Sequence, residues 1–452
     1  MESEEKPNEK TRRNSLMIKK SHIAAPLVSA VILSSILAGC GNQTATPPSP
    51  ASSSKSPVTI TFWNEMTGPY ETALSGEIQQ FEKLHPNITV KDVVVPNDAA
   101  LEPKLLAAVV AGDPPTLSQM NPPWATGFIQ TGSLVNLSPF ISGPQGFSLA
   151  PFYPNMLKPG KWPNGDQYLM PFNLGAAIMY YNKNAFDSAG ISTPPKTWTQ
   201  FAQDASKLSG PGKQAFAITL VHTYPWLAFF DQAGGNFVGS NGMPNKAAFA
   251  PNGPGVKALT LWRNMVKNGS AILTHGYASQ TDFANETSFI LIGTTGFYPY
   301  LQQAVGNKFT IAEAPLPGNI KQATSLFGGY LGMFSKASPA QQQAGFAFIK
   351  YLTSKAGQTY WMEHSEGYLP VRSDVAAQAT QFLSTHPAQQ VSLSVLNTAI
   401  AEPKVAWWDQ FSHEVLLNAI IAVLLNKETP VQAMHSAYQQ AVSLAQKDGT
   451  YQ

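Results

Sequence analysis

The side chains whose chemistry would be most diagnostic are one cysteine, eight histidines and a modest set of carboxylates. A single thiol, Cys40, closes no internal disulfide and builds neither a thiolate zinc cluster nor an iron–sulfur centre. The histidines stand at 22, 85, 222, 275, 364, 386, 413 and 435, with no two at ligand spacing along the chain. No metal and no cofactor is therefore expected. There is no phosphate-cradling P-loop, and Gly234-Gly235-Asn236-Phe237-Val238-Gly239 lacks the Rossmann spacing. No Gly-x-Ser-x-Gly elbow occurs. A glycosidase needs two carboxylates across a cleft. Glu65, Asp98, Glu102, Asp113, Asp231, Asp282, Glu313, Glu363, Glu366 and Asp409 are among the candidates, and spacing alone leaves such a pair open. Nothing else points to catalysis, so an enzyme is not expected.

The cysteine has a chemistry of its own. Met17-Ile18-Lys19-Lys20 is a short basic stretch, and Leu27 to Ala38 is an apolar run too short to span a bilayer permanently. Leu37-Ala38-Gly39-Cys40 follows and resembles a bacterial lipobox, in which the cysteine is acylated and becomes the new N-terminus. Residues 1–39 are expected to be a lipoprotein signal peptide. Residues 40–57, rich in Ser, Thr and Pro, would be the lipidated cysteine and a flexible tether. The expected location is extracytoplasmic, held at the cell membrane by lipid.

The 452 residues, at roughly 100–200 per domain, allow two or three domains. Charged residues make up only 12%, where about 25% is usual. The net charge of +2 offers no basic footprint for nucleic acid. Val58 to Trp63 alternates and reads as a strand, followed by a helical stripe of Leu74, Ile78, Phe81 and Leu84. Ile88 to Val95 is a second strand, and Leu101, Leu105, Val109 and Val110 mark a second helix ended by Gly112-Asp113-Pro114-Pro115. Ala176–Tyr181 and Phe289–Phe297 read as strands; Thr199–Leu208 and Pro254–Val266 read as helices. A helix beginning at Phe346 is expected to run through Trp361, and the C-terminal third is helical over Val415–Leu425 and Val431–Ala445. This alternation predicts an α/β architecture with largely parallel sheets.

Several blocks in order carry a family likeness: Ile60-Thr61-Phe62-Trp63, Phe81-Glu82-Lys83-Leu84-His85-Pro86, Ala111-Gly112-Asp113-Pro114-Pro115, Pro171-Phe172-Asn173 with Tyr180-Tyr181-Asn182-Lys183, Pro194-Pro195-Lys196-Thr197-Trp198, and Gly367-Tyr368-Leu369-Pro370-Val371-Arg372. Together, from about Val58 to Lys447, they resemble the bacterial extracellular solute-binding proteins of sugar transporters, the maltose-binding-protein-like group. The resemblance implies a hinged pair of discontinuous α/β lobes of the type II periplasmic-binding kind. The N-terminal lobe is expected at 58–172 plus 282–326 and the C-terminal lobe at 173–281 plus 327–452. It further implies a monomer that takes a small carbohydrate between the lobes and hands it to the permease of an ABC importer. Thr116 departs from the pattern, since relatives commonly have Asp after the prolines.

A sugar presents hydroxyl edges and apolar C–H faces, so its receptor needs planar polar groups and aromatic rings. Ring candidates are Trp63, Trp124, Trp226, Tyr298, Tyr330, Tyr368, Trp407 and Trp408; polar candidates are Asn64, Glu65, Asp98, Gln119, Asn121, Asn173 and Asp409. Of the adjacent pair Trp407-Trp408, one ring is expected to be less buried. Gly329, in Gly328-Gly329-Tyr330, would let backbone approach a guest closely. Arg372 stands between a local turn role and the site. Beyond residue 39 the only arginines are Arg263 and Arg372. Arginine suits bidentate phosphate recognition, and some relatives that bind glycerol-phosphate or its diesters tend to carry arginine near the segment reading Val405-Ala406-Trp407-Trp408 here. Tryptophan in its place favours a neutral sugar; a phosphodiester remains the alternative, and an anchored hydrolase a distant one.

Overall fold

The computed structural model describes residues 56–447. The signal, Cys40 and almost all of the tether lie outside the described residues. Among the described residues no helix is long and apolar enough to cross a membrane.

Among the described residues ten strands, eight of them in one continuous path, form one hydrogen-bonded sheet. They are β1 (Val58–Asn64), β2 (Ile88–Val94), β3 (Leu117–Met120), β4 (Leu169–Asn182), β5 (Phe216–Thr219), β6 (Ala271–Thr274), β7 (Ile290–Thr294), β8 (Ile311–Ala314), β9 (Thr324–Met333) and β10 (Ala399–Ile400). The order is β2-β1-β3-β9-β4-β7-β5-β6, with β10 beside β9 and β8 beside β4. The outer pairs, β1/β2, β1/β3, β5/β6 and β5/β7, are parallel, as expected. The central ones are not: β9 runs antiparallel to both β3 and β4, and β7 antiparallel to β4. The sheet is mixed because the two long central strands return the chain between its halves instead of adding a crossover unit.

Two principal cores flank this centre. One gathers Ile60, Phe62, Phe81, Leu105, Phe172, Leu331, Phe348 and Trp361; the other gathers Phe201, Phe216, Trp226, Trp262, Ile290, Phe411 and Met434. A smaller cluster around Ile178, Phe283 and Leu301 lies on the opposite face of β4. The chain crosses between the principal cores at three places. In β4, residues up to Ala176 pack in the first core and Ala177 packs in the second. In β9, Leu326 faces the first core and Phe327 the second. The third crossing falls between Ala401 and Val405. Packing thus exchanges two stretches of the expected partition. Ile290, Ile292 and Leu316 belong with the second core, whereas Leu331–Leu369 contribute to the first.

Other differences are local. The Phe346–Trp361 helix is two, Pro339–Leu352 and Lys355–Ser365, because Ser354 caps the second through Gly357 N. The Phe289–Phe297 strand is shortened to β7 and followed by a 3₁₀ turn from Thr295 to Phe297. Leu84 and Val110 close their helical stripes exposed, at 66% and 82%. Val415–Leu425 opens inside a π-helical turn, Phe411–Leu416, before the Leu417–Leu424 helix.

Candidate functional site

A cleft partly open to solvent, with a cavity of about 30 Å³, lies between the two cores. Its walls come from elements that end there for local reasons. Asn97 caps the Asp98–Ala111 helix by accepting from Ala100 N, which places Asp98 in the first turn, where the helix dipole favours a carboxylate. Asn121 precedes the Pro122–Gln130 helix just past the end of β3. His222, Thr223 and Tyr224 follow β5 and open the Tyr224–Gln232 helix. His413 projects from the π-helical turn, a feature frequent at functional sites. Tyr330, Gly328, Phe327 and Leu174 form the strand floor, and Glu402, on the third crossing, completes the lining. The cleft lies beyond the carboxyl ends of β3 and β5, where α/β proteins commonly bind ligands.

The electrostatics are acidic and tightly coupled. Asp409 Oδ1 accepts from Trp124 Nε1 at 2.9 Å and lies 3.2 Å from His413 Nδ1. Burial works against a charge on His413, but the hydrogen bond and charge of Asp409, with Glu402 and Asp98, outweigh it and push the imidazole up to about 9. Burial, then Asp409, pushes Glu102 up to about 8. Burial, then Asp98, does the same to Glu65. His222 is lowered by burial. Its Nδ1 lies 3.8 Å from Asp98 Oδ2 and has no hydrogen-bond partner.

The expected site residues divide into three groups. Asp98, Asn121 and Tyr330 line the cleft, although the Tyr330 hydroxyl is spent on Met156 O at 3.0 Å. Glu65, Gln119, Asn173, Tyr368 and Trp124 stand behind or beside it. Gln119 Nε2 donates to Glu65 Oε1 at 2.8 Å, Asn173 Oδ1 is buried without a partner, and Trp124 ties to Asp409 from the other lobe. A Cβ on Gly329 would sit 2.3 Å from Gln119 Cγ, so its glycine accommodates a side chain of the same lobe. The remainder serve the scaffold. Asn64 turns the chain by accepting from Met66 N, and Trp63 carries the Lys104 ammonium over its ring at 4.5 Å. Trp226 is fully buried against Phe230, and Tyr298 packs in the small cluster with its hydroxyl held by Gln302. Trp407 and Trp408 are both buried in the second core, contrary to the expectation that one would be freer. Arg372 grips Asp374 with Nε at 2.9 Å and Nη2 at 2.7 Å.

Residue types and spacing did not flag His222, Tyr224, Phe327, Glu402 and His413. His222 and His413 are remote in sequence yet their rings lie 5.9 Å apart. The expectation of no metal-competent grouping rested on chain spacing and is corrected in space: Asp98, His222 and His413 each offer a ligand atom within 4.8 Å of the others. Tyr277, 52% exposed and electrostatically coupled to Asp98 and Glu65, is a further missed ring.

Comparison with known proteins agrees with this architecture. The family model described as bacterial extracellular solute-binding protein matches residues 78–390. The sn-glycerol-3-phosphate-binding periplasmic protein UgpB of Pectobacterium atrosepticum is 23% identical over 422 residues, covering 86% of this chain and 91% of that one. UgpB of Mycobacterium tuberculosis, solved with glycerophosphocholine, superposes with a TM-score of 0.78 at 20% identity, over 86% of this chain and 99% of that one. The GacH receptor of Streptomyces glaucescens, solved unliganded and with acarbose, superposes at 0.75 with 19% identity, over 86% and 98%.

Proposed function

On the premise that this chain belongs to the bacterial extracellular solute-binding proteins, we propose that it captures a neutral mono- or oligosaccharide between its lobes. It delivers the sugar to the permease of an ABC importer and breaks no bond in it. The supporting observation is the charge on the cleft wall. Asp98, Asn121, His222, Thr223, Tyr224, Glu402 and His413 line it, with no arginine or lysine among the lining residues. Arg372 is committed to Asp374, and Arg263 reaches Asn426. Carboxylates and amides accept and donate to sugar hydroxyls, whereas a phosphate would want an arginine fork. Closure over the guest, with both lobes contributing contacts, shifts the population from open to closed. Acylation of Cys40 and the tether would keep the receptor near its permease and raise its effective concentration.

A second reading, a glycerophosphodiester, draws on the UgpB likeness and on the two imidazoles, which could meet one negative charge. Titration calorimetry separates the two. A panel of neutral mono- and oligosaccharides is compared with sn-glycerol 3-phosphate and glycerophosphocholine. Saturable heat from at least one neutral sugar, and none from the phosphates, is expected. Heat from the phosphates alone overturns the sugar reading.

A further inference from the structure

We propose that Asp98, His222 and His413 form a divalent-metal site of the zinc type that bridges the two lobes across the cleft. Their ligand atoms fall within 4.8 Å of one another. Two nitrogens and a carboxylate oxygen are the donors zinc takes in open sites, where a fourth position is left to water or a guest. At a metal–ligand distance of about 2.0–2.1 Å, two ligands sit about 3.4 Å apart in a tetrahedron and about 4.2 Å when opposite. The 3.8 Å between His222 Nδ1 and Asp98 Oδ2 lies between these limits and is too long for a hydrogen bond. His222 Nδ1 is buried with no hydrogen-bond partner, an expense that a metal would relieve.

The surroundings have the organisation of a metal site. His413 Nδ1 is held by Asp409 Oδ1 at 3.2 Å, which leaves Nε2 for a metal that displaces its proton. Asp409 is itself fixed by Trp124 Nε1. A carboxylate behind a ligating imidazole sets its tautomer and orientation. The His222 ring is seated against Tyr224 and Phe327 at 5.9 and 5.6 Å. Asp98 belongs to a helix packed on the first core through Leu101 and Leu105, while His222 and His413 lie on elements of the second. An ion held by all three therefore ties the halves together, whatever guest occupies the rest of the cleft.

The test uses EDTA-treated protein, Zn²⁺ or Co²⁺ as the only addition, and no sugar. Calorimetry is expected to show one equivalent of Zn²⁺ bound. Co²⁺ is expected to give the intense visible absorption of a four-coordinate site, and small-angle scattering a more compact particle on addition of Zn²⁺. His222→Ala or His413→Ala, checked for unchanged circular dichroism, should weaken Zn²⁺ by at least ~100-fold. Asp98→Asn should retain weaker binding and lose the compaction. Absence of stoichiometric uptake by the unmutated protein, or uptake unaltered in the doubly substituted His222→Ala/His413→Ala protein, overturns the proposal. Neither result would bear on sugar binding, which is measured in the presence of EDTA.

Discussion

At the scale of single residues, what decides function is which rings and carboxylates reach the cleft and which are consumed by packing. Among the rings, Trp226 and Tyr277 mark two extremes of burial. Trp226 is fully buried among Phe230, Phe237 and Leu227; Tyr277 is half exposed and meets Phe297 edge-on at 6.1 Å. Trp226→Ala should cost about 3–5 kcal/mol in denaturant unfolding, the usual toll of emptying a large buried site. Tyr277→Ala should leave the unfolding midpoint nearly unchanged, within about 0.5 kcal/mol, as substitutions of exposed side chains usually do. The sequence shows that both are aromatic but not which is inside. That depends on helix rotation and on strands that meet only in three dimensions. Asn121, just past a recognisable strand, could be singled out from the sequence, and it lines the cleft together with Asp98. His222 and His413 could not, since chain separation hides their 5.9 Å proximity.

At the scale of elements, the two long strands carry the mechanics. β4 pairs with β9 from Leu169 to Ala176, then with β7 and β8 from Ala177 onward, so one strand serves both lobes. A register shift between Pro171 and Asn173 falls opposite Tyr330 and Gly329. The next residue, Gly328, pairs with Leu174 and has a φ of +118°, a conformation suited to glycine. A Cβ there would meet the Asn173 carbonyl oxygen at 2.0 Å. Gly328→Ala should therefore lower stability by ~2 kcal/mol or more in denaturant melts. An unchanged midpoint would mean that the strand crossing yields easily. The first two strands, their helices and the caps could be read from alternation and stripes. The mixed sheet could not, because strand direction follows from how distant segments pair, and the Gly328-Gly329 pair signalled only that something unusual occurs there.

At the scale of the whole molecule, low charge content conceals carboxyls that burial holds protonated. Glu77 has neither oxygen hydrogen-bonded, and burial holds its carboxyl well above the ordinary range. Glu313 accepts from Ser392, yet burial pushes it up to about 8. Burial raises Asp231 to about 8 despite Lys321. Each folded-state pKa lies above its unfolded value, so between about pH 4.5 and 8 the folded chain keeps protons that the unfolded chain has lost. Stability should be greatest in mildly acidic solution and fall through that window as pH rises, by ~3–5 kcal/mol for Glu313 at the alkaline end. Glu313→Gln should flatten this slope in melts recorded from pH 5 to 9; a slope identical to that of the unmutated chain would show that Glu313 ionises normally. The two-lobe plan was legible from the ordered motif blocks, but its partition was not. Which core receives a segment is settled by side chains hundreds of residues away, such as Phe62 meeting Phe348 at 5.6 Å.

The bond from Trp124 to Asp409 joins an indole of the first half to a carboxylate of the second. Indole emission responds to a charged acceptor at the ring nitrogen. Any separation of the halves would strip that acceptor from one of the nine indoles, so tryptophan emission should shift with such a motion.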